Sequence, residues 1–70
     1  MQKHYLQVLQ FLSNGEIVDR YSIKIAGITD ELMQTVINGL ERDKLIAPQI
    51  GGIAINDNGK DYLVRHKYNL

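Results

Sequence analysis

The 70-residue chain carries eight basic and eight acidic residues, so its formal net charge is zero, and it contains no cysteine. Zero net charge argues against strong nonspecific binding to nucleic acid, which depends on Lys and Arg displacing counterions. The absence of cysteine excludes disulfides and thiolate metal sites. We therefore expect one domain over residues 1–70, held together by its apolar core, by dimerisation or by both.

The first part of the chain carries an apolar helical face made of Tyr5, Val8, Leu9 and Leu12. Their i, i+3, i+4, i+7 spacing predicts a helix over residues 3–13. Gly15 follows at a position where helices are often capped. Leu6 and Phe11 widen the apolar surface beyond this face. They form either a dimer interface or the remaining part of the core of a very small domain.

Residues 16–28 carry two conflicting patterns. The apolar residues at helical spacing are Ile17, Tyr21 and Ile25. They predict a short helix from Asp19 to about Ala26. The alternation over residues 23–25 suits a strand equally well. Residues 17–18 are an alternative small strand that would pair with the hairpin predicted further along the chain.

The clearest helix is predicted over Thr29–Asp43. Gly27 suits a tight turn before it, because glycine adopts positive φ without a steric clash. The hydroxyl of Thr29 can accept a hydrogen bond from a free N–H of the first turn. The buried face is predicted to contain Leu32, Met33, Val36, Ile37 and Leu40. Gly39 inside the helix either permits close packing against another helix or is a tolerated surface glycine.

A two-stranded hairpin follows this helix. Its strands are predicted over residues 45–50 and 53–55, with Gly51-Gly52 as the two-residue turn, because such turns require positive φ. Pro48 has no N–H to donate to a strand ladder. The strand that contains Pro48 therefore lies at an edge or turns the proline nitrogen toward solvent.

The last predicted helix runs from Gly59 to about Lys67, with Asp57 or Asn58 as its cap. The side chains predicted to turn inward are Tyr62, Leu63 and either His66 or Tyr68. The resulting order is α-α-α-β-β-α. It predicts an α+β winged helix-turn-helix with a three-helix core, a two-stranded β-hairpin wing and a C-terminal helix.

Two segments give the chain a resemblance to small winged-helix proteins. Gly27–Ile46 resembles the pattern of a G-I-T turn, a helix and an ending L-x-x-x-x-L-I, and Ile55–Leu63 resembles the run L-T-x-x-G-x-x-Y-L that closes the wing. The chain is most similar to the short, often phage-associated YjcQ-like proteins of Gram-positive bacteria. The resemblance implies that the Thr29–Asp43 helix enters the DNA major groove. It also implies that the hairpin is the wing, which reaches a flanking groove or phosphate.

The polar side of the Thr29–Asp43 helix predicts a set of DNA contacts. The residues expected to contact bases are Gln34, Thr35 and Asn38, because amides pair with adenine and Thr contacts the thymine methyl group. Arg20, Ser22 and Lys24 are expected to contact phosphates, because the first helix of the motif crosses the DNA backbone. Arg42, near the end of the Thr29–Asp43 helix, is expected to contact a phosphate as well. The alternative is an ordinary solvated face. The leading hypothesis is a small transcriptional regulator that binds double-stranded DNA.

Catalytic and metal-binding chemistry is not indicated. His4 and His66 lie far apart in the sequence and show no zinc-binding spacing. The two serines have no partner His and acid at recognisable spacing, and there is no glycine-rich phosphate loop. Gln7 and Gln10 interrupt the early apolar residues, so neither a signal peptide nor a membrane span is expected. We expect a cytoplasmic protein that is not an enzyme and has no cofactor.

A second hypothesis is a winged helix that binds another protein and does not bind DNA. The zero net charge fits this hypothesis, as does a predicted wing tip without Lys or Arg. Asp30 and Glu31 at the start of the main helix fit it too, since they would repel phosphates. A coherent positive face over this helix would favour DNA, whereas a neutral or acidic face would favour a protein partner.

Overall fold

The computed structural model describes residues 2–67. Its elements in chain order are α1 (Gln2–Phe11), α2 (Asp30–Arg42), β1 (Ile46–Gln49), β2 (Gly52–Ile55) and α3 (Asp57–Lys67). Three helices and an antiparallel hairpin in the order α-α-β-β-α confirm the predicted α+β class, and the arrangement is consistent with a winged helix. The described residues contain one helix fewer than predicted.

The core takes apolar side chains from all five elements and from the segments between them. Its buried members are Tyr5, Val8, Leu9, Leu12, Ile23, Met33, Val36, Ile37, Leu40, Leu45, Ile46, Ile53, Ile55 and Leu63. The predicted face of α1 is confirmed, since all four of its residues are buried. Gly15 has a φ of 82° and donates its N–H to the carbonyl of Leu12 at 3.1 Å. It therefore closes the turn that follows α1, where a helix cap was predicted.

Both ends of α2 are fixed by local hydrogen bonds. Thr29 is the N-cap, and its hydroxyl accepts a hydrogen bond from the N–H of Leu32 at 3.1 Å, as predicted. At the other end, the N–H of Leu45 donates to the carbonyl of Leu40 at 2.9 Å, and Lys44 donates to Glu41 at 3.0 Å. This pair of bonds is a Schellman motif, in which the residue at the Lys44 position adopts a left-handed conformation. The φ of Lys44 is 61°.

The predicted helix over residues 19–26 is wrong. The segment makes a turn in which Ser22 donates its N–H to the carbonyl of Asp19 at 2.9 Å, continues without regular secondary structure, and turns again where Ile28 donates to Ile25 at 3.1 Å. Ile23 is buried while Lys24 is exposed, so the strand-like alternation is the one that the core uses. Tyr21 is 68% exposed, which shows that the predicted helical row is not a buried face. Arg20 anchors the segment to α2 through hydrogen bonds to Gln34 and Asn38.

The alternative strand at residues 17–18 is confirmed in part. Val18 pairs with Ile53 through two hydrogen bonds of 2.9 and 2.8 Å, on the side of β2 away from β1. The N–H and the carbonyl of Ile53 are thus both bonded to Val18. Neither group bonds to Pro48, which lies opposite Ile53 in the β1–β2 pairing. The nitrogen of Pro48 faces the free edge of β1, as predicted, and its missing N–H removes a site at which another strand could pair.

The hairpin turn lies one residue earlier than predicted. Gln49 pairs with Gly52, so the two loop residues are Ile50 and Gly51. Gly51 supplies the positive φ, 96°, that the turn needs. Gly52 is required for a different reason, because a Cβ there would collide with the carbonyl of Val18. Two adjacent glycines thus serve a turn and a close backbone approach.

The last helix begins two residues earlier than predicted and has a different cap. The side chain of Asn56 accepts a hydrogen bond from the N–H of Gly59 at 2.8 Å, so Asn56 takes the capping role expected of Asp57 or Asn58. Leu63 is buried and Tyr62 is half-buried, as predicted. Tyr68 lies outside the described residues. None of the helices over residues 2–67 is long and apolar enough to cross a membrane.

Candidate nucleic-acid interface

The exposed side of α2 is a line of four polar residues that we call the α2 stripe: Glu31, Thr35, Asn38 and Arg42. Spacings of three and four residues place neighbours one turn apart on the same side of a helix. The opposite side of α2 is buried in the core. At 1.5 Å per residue the 13-residue helix is about 20 Å long. An exposed helix of this kind has the dimensions that the DNA major groove admits.

Beside the α2 stripe, Arg20 binds three side chains of α2, and we call these four residues the Arg20 cluster: Arg20, Gln34, Asn38 and Glu41. The guanidinium donates from Nε to the Oε1 of Gln34 at 3.1 Å and from Nη2 to the Oδ1 of Asn38 at 2.6 Å. The same Nη2 lies 3.0 Å from the Oε1 of Glu41. The Arg20 cluster thus brings one predicted phosphate contact together with two predicted base contacts.

The side-chain amides of Gln34 and Asn38, two of the predicted base contacts, differ in the hydrogen bonds that they already make within the protein. Gln34 is half-buried, and its amide is bonded at both ends, since its Nε2 also donates to the backbone carbonyl of Arg20 at 3.1 Å. Asn38 is exposed, and its amide nitrogen takes no part in the contact with Arg20. Asn38 therefore keeps a donor for a base edge, whereas Gln34 would first have to give up two bonds.

Thr35 is the third predicted base contact, and it is exposed in the middle of the α2 stripe. Its hydroxyl donates to the carbonyl of Glu31 at 3.3 Å, within the helix. The methyl group is not engaged by this bond, and a methyl group is what contacts thymine in the major groove. Glu31 precedes Thr35 by one turn, and a carboxylate there can accept a hydrogen bond from the amino group of cytosine.

Two other predicted phosphate contacts lie near the start of α2. The Nζ of Lys24 is 2.7 Å from the Oδ1 of Asp30, and both side chains are largely exposed. An exposed pair of this kind is weak and screened by salt. Ser22 is exposed in the turn before Lys24. Both residues are accessible to a DNA backbone that passes this end of α2.

The fourth predicted phosphate contact, Arg42, lies at the other end of the α2 stripe. Its Nε donates to the Oδ1 of Asp43 at 3.3 Å, and the Oδ2 of Asp43 accepts from the hydroxyl of Tyr5 at 3.0 Å. The hydrogen bond from Tyr5, followed by that from Arg42, lowers the pKa of Asp43 below 3.8. Burial, followed by the hydrogen bond to Asp43, raises the pKa of Tyr5 above 10.0. The carboxylate therefore ties α1 to the end of α2.

The charges along this side of the molecule are balanced. Arg20, Lys24 and Arg42 each lie within 4 Å of a carboxylate, from Glu41, Asp30 and Asp43 respectively. The coherent positive face expected for DNA is not found in the described part of the chain, and the neutral face found there is the result expected for a protein partner. Any affinity for DNA must then draw more on contacts with base edges and less on counterion release.

Two isoleucines are exposed at the hairpin turn, Ile50 within the turn and Ile17 beside it. We call Ile17, Ile50 and Gly51 the wing tip. Ile50 is 99% exposed and Ile17 is 50% exposed. The Cγ2 of Ile17 would lie 3.8 Å from a Cβ on Gly51, so the three residues are neighbours. None of these three residues carries a charge.

A shallow pocket of about 180 Å³ opens beside the start of α2. It is lined by Tyr21, Ile23, Lys24, Asp30, Met33 and Gln34. Its floor is apolar, because Ile23 and Met33 are buried, and Tyr21 stands at its rim. The pocket can accept a small apolar group next to a charged pair.

The two residues predicted as a dimer interface differ in exposure. Leu6 is half-buried and packs against the core, in agreement with the alternative that it completes the core. Phe11 is 44% exposed at the end of α1. The prediction of a dimer therefore rests on Phe11 alone.

Sequence reasoning missed the role of Glu41, because its partner Arg20 lies 21 positions earlier in an irregular segment. The available signal was a carboxylate one turn after Asn38 on the polar side of the helix. Over residues 2–67, no group of three or more His, Asp or Glu side chains is placed to hold a metal ion.

A comparison with protein-family models finds no match, and neither do comparisons with curated proteins and with solved structures.

Proposed function

We propose that this protein binds duplex DNA as a small transcriptional regulator and that the α2 stripe enters the major groove. The observation that supports this most directly is the α2 stripe itself. Glu31, Thr35 and Asn38 are three side-chain types that read base edges, and they are exposed one turn apart on a helix whose other side is fixed in the core. An adjacent β-hairpin is the second element of a winged-helix reader.

The phosphate contacts in this proposal come from Arg20, Lys24 and Arg42. Arg20 and Lys24 lie beside the middle and the start of the α2 stripe, as their contacts with Asn38 and Asp30 show, and Arg42 is the last residue of the stripe. Each cation must exchange a carboxylate for a phosphate, so the electrostatic gain is small. We therefore propose weak nonspecific binding combined with a clear preference for one sequence.

The experiment is selection of duplexes from a random pool, followed by titration of the selected duplex at several salt concentrations. Three phosphate contacts limit the slope of log K against log salt to about −3. We expect one enriched sequence and a slope between about −1 and −3. Failure to enrich any sequence at about 50 mM salt would contradict the proposal.

We also propose that the chain is a cytoplasmic winged-helix protein close to the phage-associated YjcQ-like proteins. The run Ile55–Leu63 supports this, because its characteristic positions have structural roles. Asn56 caps α3, and a Cβ on Gly59 would collide with the carbonyl of Leu45, which explains a glycine there. Leu63 then fills the core.

A second candidate is a protein-interaction module, and the wing tip favours it. Ile50 is almost fully exposed where a DNA-binding wing usually offers a cation, and exposed apolar groups often mark association sites. The pocket beside Tyr21 could accept an apolar side chain of a partner. The same selection experiment separates the two candidates, because a protein-interaction module enriches no DNA sequence at any salt concentration.

A further inference from the structure

In the Arg20 cluster, Gln34 and Asn38 position the side chain of Arg20, and Glu41 neutralises its charge. Gln34 accepts from Nε and donates to the backbone carbonyl, and Asn38 accepts from Nη2. These three hydrogen bonds are made by neutral amides; two of them fix the guanidinium on α2, and the third fixes the backbone of Arg20. Glu41 adds an ion pair to a group that is already held in place.

Arg20 and Glu41 are both largely withdrawn from water, with side chains that are 28% and 25% exposed. A charge in such a place is stabilised by an anion more than an exposed charge is. The Nη2 of Arg20 contacts both Asn38 and Glu41, and Nη1 takes no part in the contacts described. A phosphate that takes the place of Glu41 can therefore bind Nη1 and Nη2 together. Guanidinium groups bind phosphate oxygens strongly and in a defined geometry.

We propose that Glu41 occupies Arg20 in the free protein and that a DNA phosphate replaces Glu41 on binding. Glu41 is then a negative determinant of DNA affinity, and the two amides keep Arg20 in position throughout. This inference rests on the proposed function. It adds that the carboxylate of Glu41, one turn beyond Asn38, sets how tightly the protein binds.

The test replaces the carboxylate with an amide in Glu41→Gln and measures binding to the selected duplex. We expect about fivefold tighter binding at low salt, because the carboxylate that competes with phosphate for Arg20 is gone. We expect an unchanged slope of log K against log salt, because the same three cations contact phosphates in both proteins. The matched control is Asp61→Asn on α3, which removes a carboxylate 2.6 Å from Arg65 and so changes the net charge equally. We expect less than a twofold effect from this control.

A second pair of variants separates the charge of Arg20 from a change in structure. Arg20→Gln combined with Glu41→Gln should lose the whole gain, since the gain comes from the released guanidinium. Hydrogen exchange at the amides of Val18 and Ile53 reports whether the segment before α2 stays docked. We expect unchanged protection of these two amides in Glu41→Gln.

The outcomes are distinguishable. The inference is overturned if the wild type binds a selected duplex but Glu41→Gln binds no better than Asp61→Asn, or if the gain persists without Arg20. If neither the wild type nor Glu41→Gln binds DNA, the proposed function fails together with the inference. Binding by Glu41→Gln alone supports both.

Discussion

At the scale of single residues, Tyr5 determines how α1 meets α2. Its hydroxyl donates to Asp43, and its ring lies against Gly39, where an added Cβ would collide with the hydroxyl oxygen. This resolves the two alternatives for Gly39, since the glycine permits close packing and is not merely tolerated at the surface. Tyr5 also packs near Tyr62 of α3, with ring centroids 6.3 Å apart.

The substitution Gly39→Ala tests this packing. Alanine should gain about 1 kcal/mol in helix propensity, but overpacking against Tyr5 should cost about 1–3 kcal/mol. We expect a lower free energy of unfolding by chemical denaturation. In a Tyr5→Phe background the hydroxyl is gone, so Gly39→Ala should be less harmful there than in the wild type. A stabilised Gly39→Ala protein would contradict this account.

The hydrogen bond between Tyr5 and Asp43 makes stability depend on pH at both ends of the scale. The pKa of Asp43 is lowered in the folded state, so its contribution is complete above about 3.8 and is lost as the pH falls through the folded value. The pKa of Tyr5 is raised, so its contribution is complete below 10.0 and is lost as the pH rises through the folded value.

The variant Asp43→Asn measures this dependence against the wild type. We expect the difference in unfolding free energy between the two proteins to be constant at neutral pH and to shrink as the pH falls below about 3.8. Asp61→Asn on the surface of α3 is the control for loss of a carboxylate. A difference that is the same at pH 3 and pH 7 would show that the Asp43 contact does not stabilise the fold.

At the scale of elements, the turn that follows the C-terminus of α2 contains a residue in an unfavourable backbone conformation. Lys44 has a φ of 61°, in a position where a Schellman motif prefers glycine. The carbonyl of Lys44 accepts hydrogen bonds from Asn56 at 2.9 Å and from Asn58 at 3.4 Å, which hold the conformation. Strain that is retained in this way often accompanies function. Lys44 lies just beyond Arg42, at the end of the α2 stripe.

We expect Lys44→Gly to raise the free energy of unfolding by about 0.5–1 kcal/mol, because the cost of a left-handed conformation outweighs the extra chain entropy of glycine. Lys60→Ala on α3 is the control, since it removes one exposed cation without relieving any strain. Thermal denaturation of the two variants beside the wild type gives the comparison. Equal or lower stability of Lys44→Gly would mean that the conformation carries no cost.

The elements that sequence patterns predicted well are those governed by one strong local signal. The N-cap of α2, the buried face of α1 and the exposed polar side of α2 follow from Thr29 and from residue spacing, and the end of the first helical region follows from Gly15. The segment before α2 could not be predicted, because its helical row and its strand-like alternation were equally good locally. Long-range contacts decided between them, namely Val18 with Ile53 and the bonds of Arg20 to α2.

In the candidate interface too, local periodicity predicted which residues are exposed but did not predict the long-range contacts. Thr35 and Asn38 are exposed on α2, as helical periodicity requires. The bonding of Gln34 to Arg20 spans 14 positions and involves an irregular backbone. A single sequence carries no local signal for such a pair. The turn of the hairpin was misplaced by one residue for a similar reason, since the collision between Gly52 and Val18 arises only in the folded chain.

At the scale of the whole molecule, balanced charge and an exposed polar helix limit the kind of DNA binding that we propose. Three cations lie in or beside the α2 stripe, and each is paired with a carboxylate. Such a surface has little nonspecific attraction for DNA. Discrimination between sequences then depends on the few side chains that reach base edges, and for the proposed function these are Glu31, Thr35 and Asn38.

The most direct measurement is the affinity of Asn38→Ala and Gln34→Ala for the selected duplex and for single-base variants of it. We predict that Asn38→Ala loses discrimination at one base pair by about 1–3 kcal/mol, since each good base contact contributes about that much. We predict that Gln34→Ala lowers the stability of the fold and keeps the wild-type base preference. Unchanged discrimination at every base pair in Asn38→Ala and in Thr35→Ala would contradict the claim that α2 reads DNA.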